Sequence, residues 1–149
     1  MNKIYFLIKI LVLCLFFTGN VFAVKINYHD EGKKLFDRKE FEKSKIYFEK
    51  DIVFNPKSEK SYLYLAKIFN EKDDDQQQEV NLTNVLLLNP KNDEAIYLLA
   101  LLKIKQSDYE GVKELIEKFE LVCISFCSKK NEILEKLNKL TPKDEKNNN

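Results

Sequence analysis

Two stretches of the chain share one pattern: FEKDIVFNP from Phe48 to Pro56, and LTNVLLLNP from Leu82 to Pro90. In both, a run rich in apolar residues ends at an Asn-Pro pair, and the two prolines lie 34 residues apart. Because proline cannot continue a helix, each stretch indicates the end of a helix followed by a turn. The fixed spacing indicates an internal repeat.

The repeat extends in both directions from these prolines. Counting back from them divides the chain into segments of about 25–58, 59–92 and 93–126. A small residue, which lets two helices approach closely, stands at one position of each segment: Gly32, Ala66 and Ala100. Apolar residues around it recur every three or four residues, which is typical of helices packed along one face. Helices are predicted at 26–38, 41–54, 59–71, 76–88, 93–106, 109–122 and 129–140.

With this period and these positions, the chain resembles the tetratricopeptide repeat family, whose 34-residue unit is a helix-turn-helix pair. The resemblance implies an all-α fold, a right-handed α-solenoid of about three such repeats followed by a capping helix. Two positions depart from the family pattern. Gln78 stands where a second helix would carry a small residue, and Ile124 stands where the third repeat would end in proline.

The end of such a solenoid exposes an apolar face, which a terminal helix with a polar outer side must cover. A capping helix is predicted at 128–140, with Ser128 as its N-cap. It carries an apolar stripe made of Ile133, Leu134, Leu137 and Leu140. The repeat domain is therefore predicted to span 24–140, and the polar residues 141–149 are predicted to be a disordered tail.

Residues 1–23 have the pattern of a secretory signal peptide. Lys3 and Lys9 supply positive charge, residues 10–17 are an unbroken apolar run, and small residues at Val21 and Ala23 suit a signal peptidase. Cleavage is predicted after Ala23, with an uncleaved inner-membrane anchor over 4–23 as the less favoured alternative. After cleavage no membrane span is predicted, so the protein is expected to be periplasmic or secreted.

Composition excludes several classes of protein. The 149 residues are 44% hydrophobic and 33% charged, which suits one folded domain, and only three Gly and three Pro argue against an all-β chain. The formal net charge is +1, and removing Lys3 and Lys9 makes it −1. Nucleic acid is therefore not an expected partner, because its binding needs a concentration of positive charge.

Cys123 and Cys127 are the two cysteines that remain once the signal is removed. An even count in an exported chain favours a disulfide. In the repeat frame Cys123 ends one helix and Cys127 precedes the next, so a chain reversal would bring them within bonding distance. A redox-active pair and a copper(I) site with soft thiolate ligands are the open alternatives.

Catalysis is not expected. His29 is the single histidine, and a nucleophile activated by it would need a serine or cysteine beside it, yet no family signature surrounds such a residue. The three glycines are isolated, so no loop can cradle a phosphate. The sequence therefore predicts neither an enzyme nor a cofactor, and no metal site is expected outside the copper(I) alternative at Cys123 and Cys127.

The resemblance implies protein binding, because in this family the first helices line a concave groove that receives a partner's peptide or helix. Carried over position by position, the groove comprises His29, Lys33, Phe36, Leu63, Lys67, Asn70, Tyr97, Leu101 and Ile104. Packing of some of these residues against the capping helix or the N-terminal segment is the open alternative. Capture of a C-terminal carboxylate is not favoured, because the third repeat adds Glu94 and Tyr97 instead of further basic residues. The expected role is an adaptor or assembly factor for envelope proteins, and the rival is a structural module that self-associates through its repeat ends.

Overall fold

A computed structural model describes residues 3–5 and 27–140. Residues 3–5 are helical. The rest of the predicted signal peptide, its cleavage point after Ala23 and the predicted tail 141–149 lie outside the described residues.

The described chain is all-helical, which confirms the predicted fold class. Its seven helices from residue 27 onward are α1 (Tyr28–Asp37), α2 (Phe41–Phe54), α3 (Glu59–Glu71), α4 (Asp75–Leu88), α5 (Asp93–Lys105), α6 (Tyr109–Val122) and α7 (Lys130–Leu140). The predicted bounds agree with these to within two residues. The last helix begins at Lys130, because Cys127–Lys129 form a short 3-10 turn before it.

The helices stack in consecutive pairs to form a helical solenoid. Within the pairs α1 packs on α2, α3 on α4 and α5 on α6, and each pair packs on the next. Helix α7 closes the end by packing against both α5 and α6. Its apolar stripe buries Ile133 and Leu137 beside Ile96 and Phe119, as expected of a capping helix.

The small residue of each first helix lies where two helices come closest. Ala66 and Ala100 are fully buried. A Cβ added to Gly32 would lie 2.9 Å from the Phe48 ring of α2, which is closer than carbon atoms normally approach. The same contact is reinforced by Ser44, whose hydroxyl donates a hydrogen bond of 2.8 Å to the Gly32 carbonyl.

The turn inside each pair repeats one backbone conformation. Lys39, Asp73 and Ser107, each 34 residues from the next, have φ of 61°, 53° and 60°. At each turn the following N–H donates back into the last turn of the helix, as Glu40 does to the Leu35 carbonyl at 2.9 Å. This is the Schellman arrangement, which normally places glycine at the left-handed position. A side chain there costs about 1–2 kcal/mol per residue.

The first helices α3 and α5 each begin with an acidic residue. Its carboxylate accepts hydrogen bonds from the loop that ends the same helix pair. Glu59 accepts hydrogen bonds from Asn89 at 3.0 Å and from Asn92. At the corresponding position 34 residues on, Asp93 accepts three backbone N–H bonds from Ile124, Ser125 and Phe126, at 2.7, 2.6 and 2.9 Å. The carboxylate therefore organises the one junction in which the repeat's proline is replaced by Ile124.

The loop held by Asp93 is also closed covalently. Cys123 and Cys127 form a disulfide with their Cα atoms 5.2 Å apart, as predicted. Burial alone would raise the pKa of Asp93, but the backbone N–H groups around it outweigh burial and hold the pKa below its usual value. The junction to the capping helix is thus fixed by one covalent bond and one ionised carboxylate.

None of the helices in residues 3–5 and 27–140 combines the length and the apolar character needed to cross a bilayer.

Candidate protein-binding surface

The first helices of the pairs lie side by side and form one wall of the solenoid, called the inner face. The Phe36 ring of α1 meets the Tyr64 ring of α3 edge-on, with centroids 5.0 Å apart. Leu63 of α3 shares a buried cluster with Ala95 of α5. Helix α7 extends the wall, since it packs directly on α5.

The residues predicted to line the groove divide into two groups on this wall. Lys33 and Asn70 are exposed, and His29, Phe36, Lys67 and Leu101 are half-buried. The other three are in the core, since Leu63, Tyr97 and Ile104 expose 8%, 8% and 6% of their surface. The accessible surface of the predicted groove therefore comes from six residues.

Tyr97 lies at the junction with the capping helix. Its ring centroid is 5.8 Å from that of Phe126, and the Lys129 ammonium lies 5.6 Å from the ring. Burial raises the pKa of Tyr97, and a hydrogen bond with Glu132 of α7 raises it further. Tyr97 thus anchors the capping helix, and Ile104 lies in the same buried cluster.

Both lysines at the centre of the predicted groove are ion-paired. The Lys33 ammonium lies 2.8 Å from the Asp37 carboxylate within α1. The Lys67 ammonium lies 2.6 Å from the Glu94 carboxylate of α5 and 5.0 Å from the Tyr64 ring centroid. Because each positive charge has an acidic partner, the inner face has a mixed, nearly neutral character, unlike a surface that captures carboxylates.

His29 has a partner that the sequence did not reveal. Its Nδ1 lies 2.9 Å from the Ser61 Oγ of α3, and the Ser61 hydroxyl donates to the Asp51 carboxylate of α2 at 2.6 Å. The Ser58 hydroxyl also donates to Ser61, at 3.1 Å. The network joins three helices through a serine that is fully buried.

This pairing does not have the geometry of a histidine-activated nucleophile. The Ser61 proton is directed at Asp51, so His29 donates to the serine rather than accepting its proton. A substrate cannot reach a hydroxyl with no accessible surface. Ser61 lies 34 residues before Ala95, another fully buried small residue, and that repeat position is the signal that predicts its burial.

The His29 network makes stability depend on pH. Burial lowers the pKa of His29, although Asp51 and Asp30 oppose this. The unfolded chain therefore takes up this proton at a higher pH than the folded one, so the contribution is complete above the unfolded pKa of about 6.5 and is lost as the pH falls through the lowered value. We expect the urea midpoint to fall more between pH 8 and pH 5 in the wild type than in His29→Asn, whose amide can still donate to Ser61. Equal falls would contradict the assignment.

Comparison with known proteins identifies a fold but no family. No family model matches the chain, and no curated protein matches it. A chain of the solved structure "CopN-Scc3 complex" superposes with a TM-score of 0.61 at 17% sequence identity, covering 76% of this chain and 67% of that one. At this identity the likeness concerns the fold alone, and it agrees with a helical repeat architecture.

Proposed function

We propose that this protein is an exported, tetratricopeptide-like module that binds a peptide or helix of a protein partner along its inner face and catalyses no reaction. The observation that carries the proposal is the wall formed by α1, α3 and α5. On it the half-buried side chains of Phe36, Lys67 and Leu101 leave apolar and polar surface within reach of a partner.

The charges of the inner face suit a partner of mixed polarity. The pairs Lys33–Asp37 and Lys67–Glu94 leave little net charge along the wall. The Lys33–Asp37 pair is exposed. Exposed pairs contribute only about 0–1 kcal/mol, so a partner's charged groups can replace this pair at small cost. An amphipathic peptide, with apolar side chains toward Phe36 and Leu101, matches this surface.

Two further observations support binding over chemistry. The Cys123 and Cys127 sulfurs are bonded to each other, so neither is a thiolate that could ligate copper(I) while the bridge is intact. The structurally similar chain belongs to the CopN-Scc3 complex. The proposed site of action is the cell envelope, which rests on the signal-peptide pattern of residues 1–23 and on analogy with the family.

The experiment is a pull-down from envelope extracts after crosslinking in cells. The double variant Lys33→Glu, Leu101→Glu reverses one charge and introduces another on the inner face, and we expect it to lose the partner that the wild type recovers. The control is Lys57→Glu, a charge reversal at an exposed residue of the α2–α3 loop. Circular dichroism and thermal melting establish that all proteins are folded. Recovery of every partner by the folded double variant would overturn the proposal.

A further inference from the structure

The loop between Cys123 and Cys127 is held by contacts that do not involve sulfur. The backbone N–H groups of the three residues between the cysteines all donate to one oxygen of Asp93, Oδ2, at 2.6–2.9 Å. Asp93 is the first residue of α5, and the two fully buried residues Ala95 and Ile96 follow it in the same helix. The position of this acceptor is therefore fixed by the packing of α5 and not by the loop itself.

Each end of the loop is also held by a contact of its own. The Cys123 N–H donates to the Phe119 carbonyl in the last turn of α6, at 2.8 Å. Next to Cys127, the Phe126 ring packs against Tyr97 of α5, with centroids 5.8 Å apart. None of these contacts requires the bond between the sulfurs. We therefore expect a reduced chain to keep the two cysteines facing each other, near the Cα separation of 5.2 Å that the bonded pair has.

The two cysteines differ in accessibility. Cys127 is exposed, and so are its neighbours Ser125 and Ser128, whereas Cys123 is half-buried at the end of α6. Thiol–disulfide exchange requires a thiolate to approach the sulfur that it attacks, so access decides which cysteine reacts with an external reagent. A reagent in solution therefore meets Cys127 first, and Cys123 reacts within the chain.

We infer that Asp93 is a positioning residue for oxidation of this pair by a disulfide oxidant, with Cys127 reacting first and Cys123 completing the bond. The Cys127 thiolate attacks one sulfur of the oxidant, which forms a mixed disulfide and releases the other sulfur as a thiolate. The Cys123 thiolate then attacks the Cys127 Sγ, and the second thiolate of the oxidant leaves. Two electrons pass from the cysteine pair to the oxidant, and the two protons of the cysteine thiols pass through water to the released thiolates.

Asp93 acts on the second of these steps, because that step takes place within one chain. Its rate and its equilibrium depend on the effective concentration of one thiol at the other, which rises as the loop loses freedom. The bond and the carboxylate order the same three residues, so Asp93 contributes more once the bond has formed. By reciprocity, removing Asp93 must disfavour the bond. This inference concerns assembly of the capping junction and does not depend on the proposed partner binding.

The test is equilibration of the purified protein in mixtures of reduced and oxidised glutathione without denaturant. Alkylation and mass spectrometry of the tryptic peptide 119–129, which contains both sulfurs, give the fractions of dithiol, mixed disulfide and bonded pair. In Asp93→Ala we expect the effective concentration of the pair to fall at least about tenfold and the mixed disulfide at Cys127 to accumulate. Asp93→Asn keeps an acceptor, so its effective concentration should lie between those of the wild type and Asp93→Ala.

Glu59→Ala is the matched control, because Glu59 is the corresponding acidic residue of α3 and accepts hydrogen bonds from Asn89 and Asn92, far from the cysteines. Its loss should lower stability and change the thiol equilibrium by no more than about twofold. An unchanged equilibrium in folded Asp93→Ala overturns the proposal, as does a shift of equal size in Glu59→Ala. A reduced wild type that loses its helical circular dichroism, or a mixed disulfide that forms first at Cys123, also overturns it. If Asp93→Ala does not fold, Asp93→Asn decides: an equilibrium equal to that of the wild type excludes a role for the carboxylate.

Discussion

Replacing Phe48 with alanine is expected to lower the free energy of unfolding by about 3–5 kcal/mol, the usual cost of deleting a buried aromatic ring. Phe48 has no exposed surface. Its ring stacks on Tyr64 with centroids 4.9 Å apart and lies 5.6 Å from the His29 ring. It also fills the space that Gly32 leaves open. One side chain thus contacts α1 and α3 from α2, and its loss opens a cavity where three helices meet.

Urea denaturation followed by circular dichroism measures this effect. Phe54→Ala is the matched control, because it deletes the same side chain six residues later on α2. Phe54 is 73% exposed, although its ring stacks on Tyr28 at 5.4 Å, so we expect a loss of no more than about 1 kcal/mol. Similar losses in the two variants would show that the Phe48 cluster is not a core of the solenoid.

Replacing Asp93 with alanine is expected to cost about 2–4 kcal/mol at pH 7, because hydrogen bonds to a charged group contribute more than neutral ones. Three backbone N–H groups lose their acceptor, and the loop before α7 loses its organiser. Since the folded pKa of Asp93 is lowered, this contribution is complete above the unfolded pKa of about 3.9 and is lost as the pH falls through the folded value. Asp93→Asn keeps a hydrogen-bond acceptor without the charge, so its free energy of unfolding should lie between those of the wild type and Asp93→Ala.

Glu117→Ala serves as the control. Glu117 is exposed and forms no ion pair with residues 27–140, so its loss should change stability by no more than about 0.5 kcal/mol. Replacing both Cys123 and Cys127 by serine tests the same junction, with an expected loss of about 2 kcal/mol for so short a loop. Because Asp93 and the disulfide order the same residues, the losses should not add when the changes are combined. Strict additivity would contradict a shared junction.

The sequence was sufficient for the helices and for their order. Pro56 and Pro90 mark where two helices must end, and the small residues Gly32, Ala66 and Ala100 agree with the frame that these prolines set for the other helices. These are local constraints, set by backbone chemistry and by the space between adjacent helices. The disulfide was predictable for the same reason, because the frame placed Cys123 and Cys127 on either side of one turn.

The accessible surface was harder to predict. Tyr97 and Ile104 occupy inner-face positions in the repeat frame, yet both are buried in the cluster to which α7 contributes Ile133 and Leu137. The frame describes one repeat against the next and contains no information on how a terminal helix docks. The same holds for His29, whose partners Ser61 and Asp51 come from two other helices and form no local motif.

The role of Asp93 could not be predicted from the sequence either. In the sequence it is an ordinary acidic residue at the start of a helix, where a carboxylate is favoured by the helix dipole. Its three hydrogen bonds go to a loop 31–33 residues later. Val53, Leu87 and Leu121 lie 34 residues apart on the second helices, so the sequence shows that they are equivalent positions. Their exposure depends on which side of each second helix faces the core, and the repeat period does not give that.

Stacking of neighbour on neighbour makes the two ends of this solenoid unequal. In such a nearly one-dimensional array, partial unfolding begins where a terminal unit has one neighbour instead of two. At the C-terminal end the Cys123–Cys127 bond restricts the freedom that the junction would gain on opening, and the Asp93 carboxylate holds the same loop. At the other end, the contacts described for α1 are non-covalent packing and hydrogen bonds to α2 and α3. Fraying therefore has a direction: amide hydrogens of α1 should exchange through local opening more readily than those of α6, and transient unfolding should proceed from the α1 end toward the capping helix.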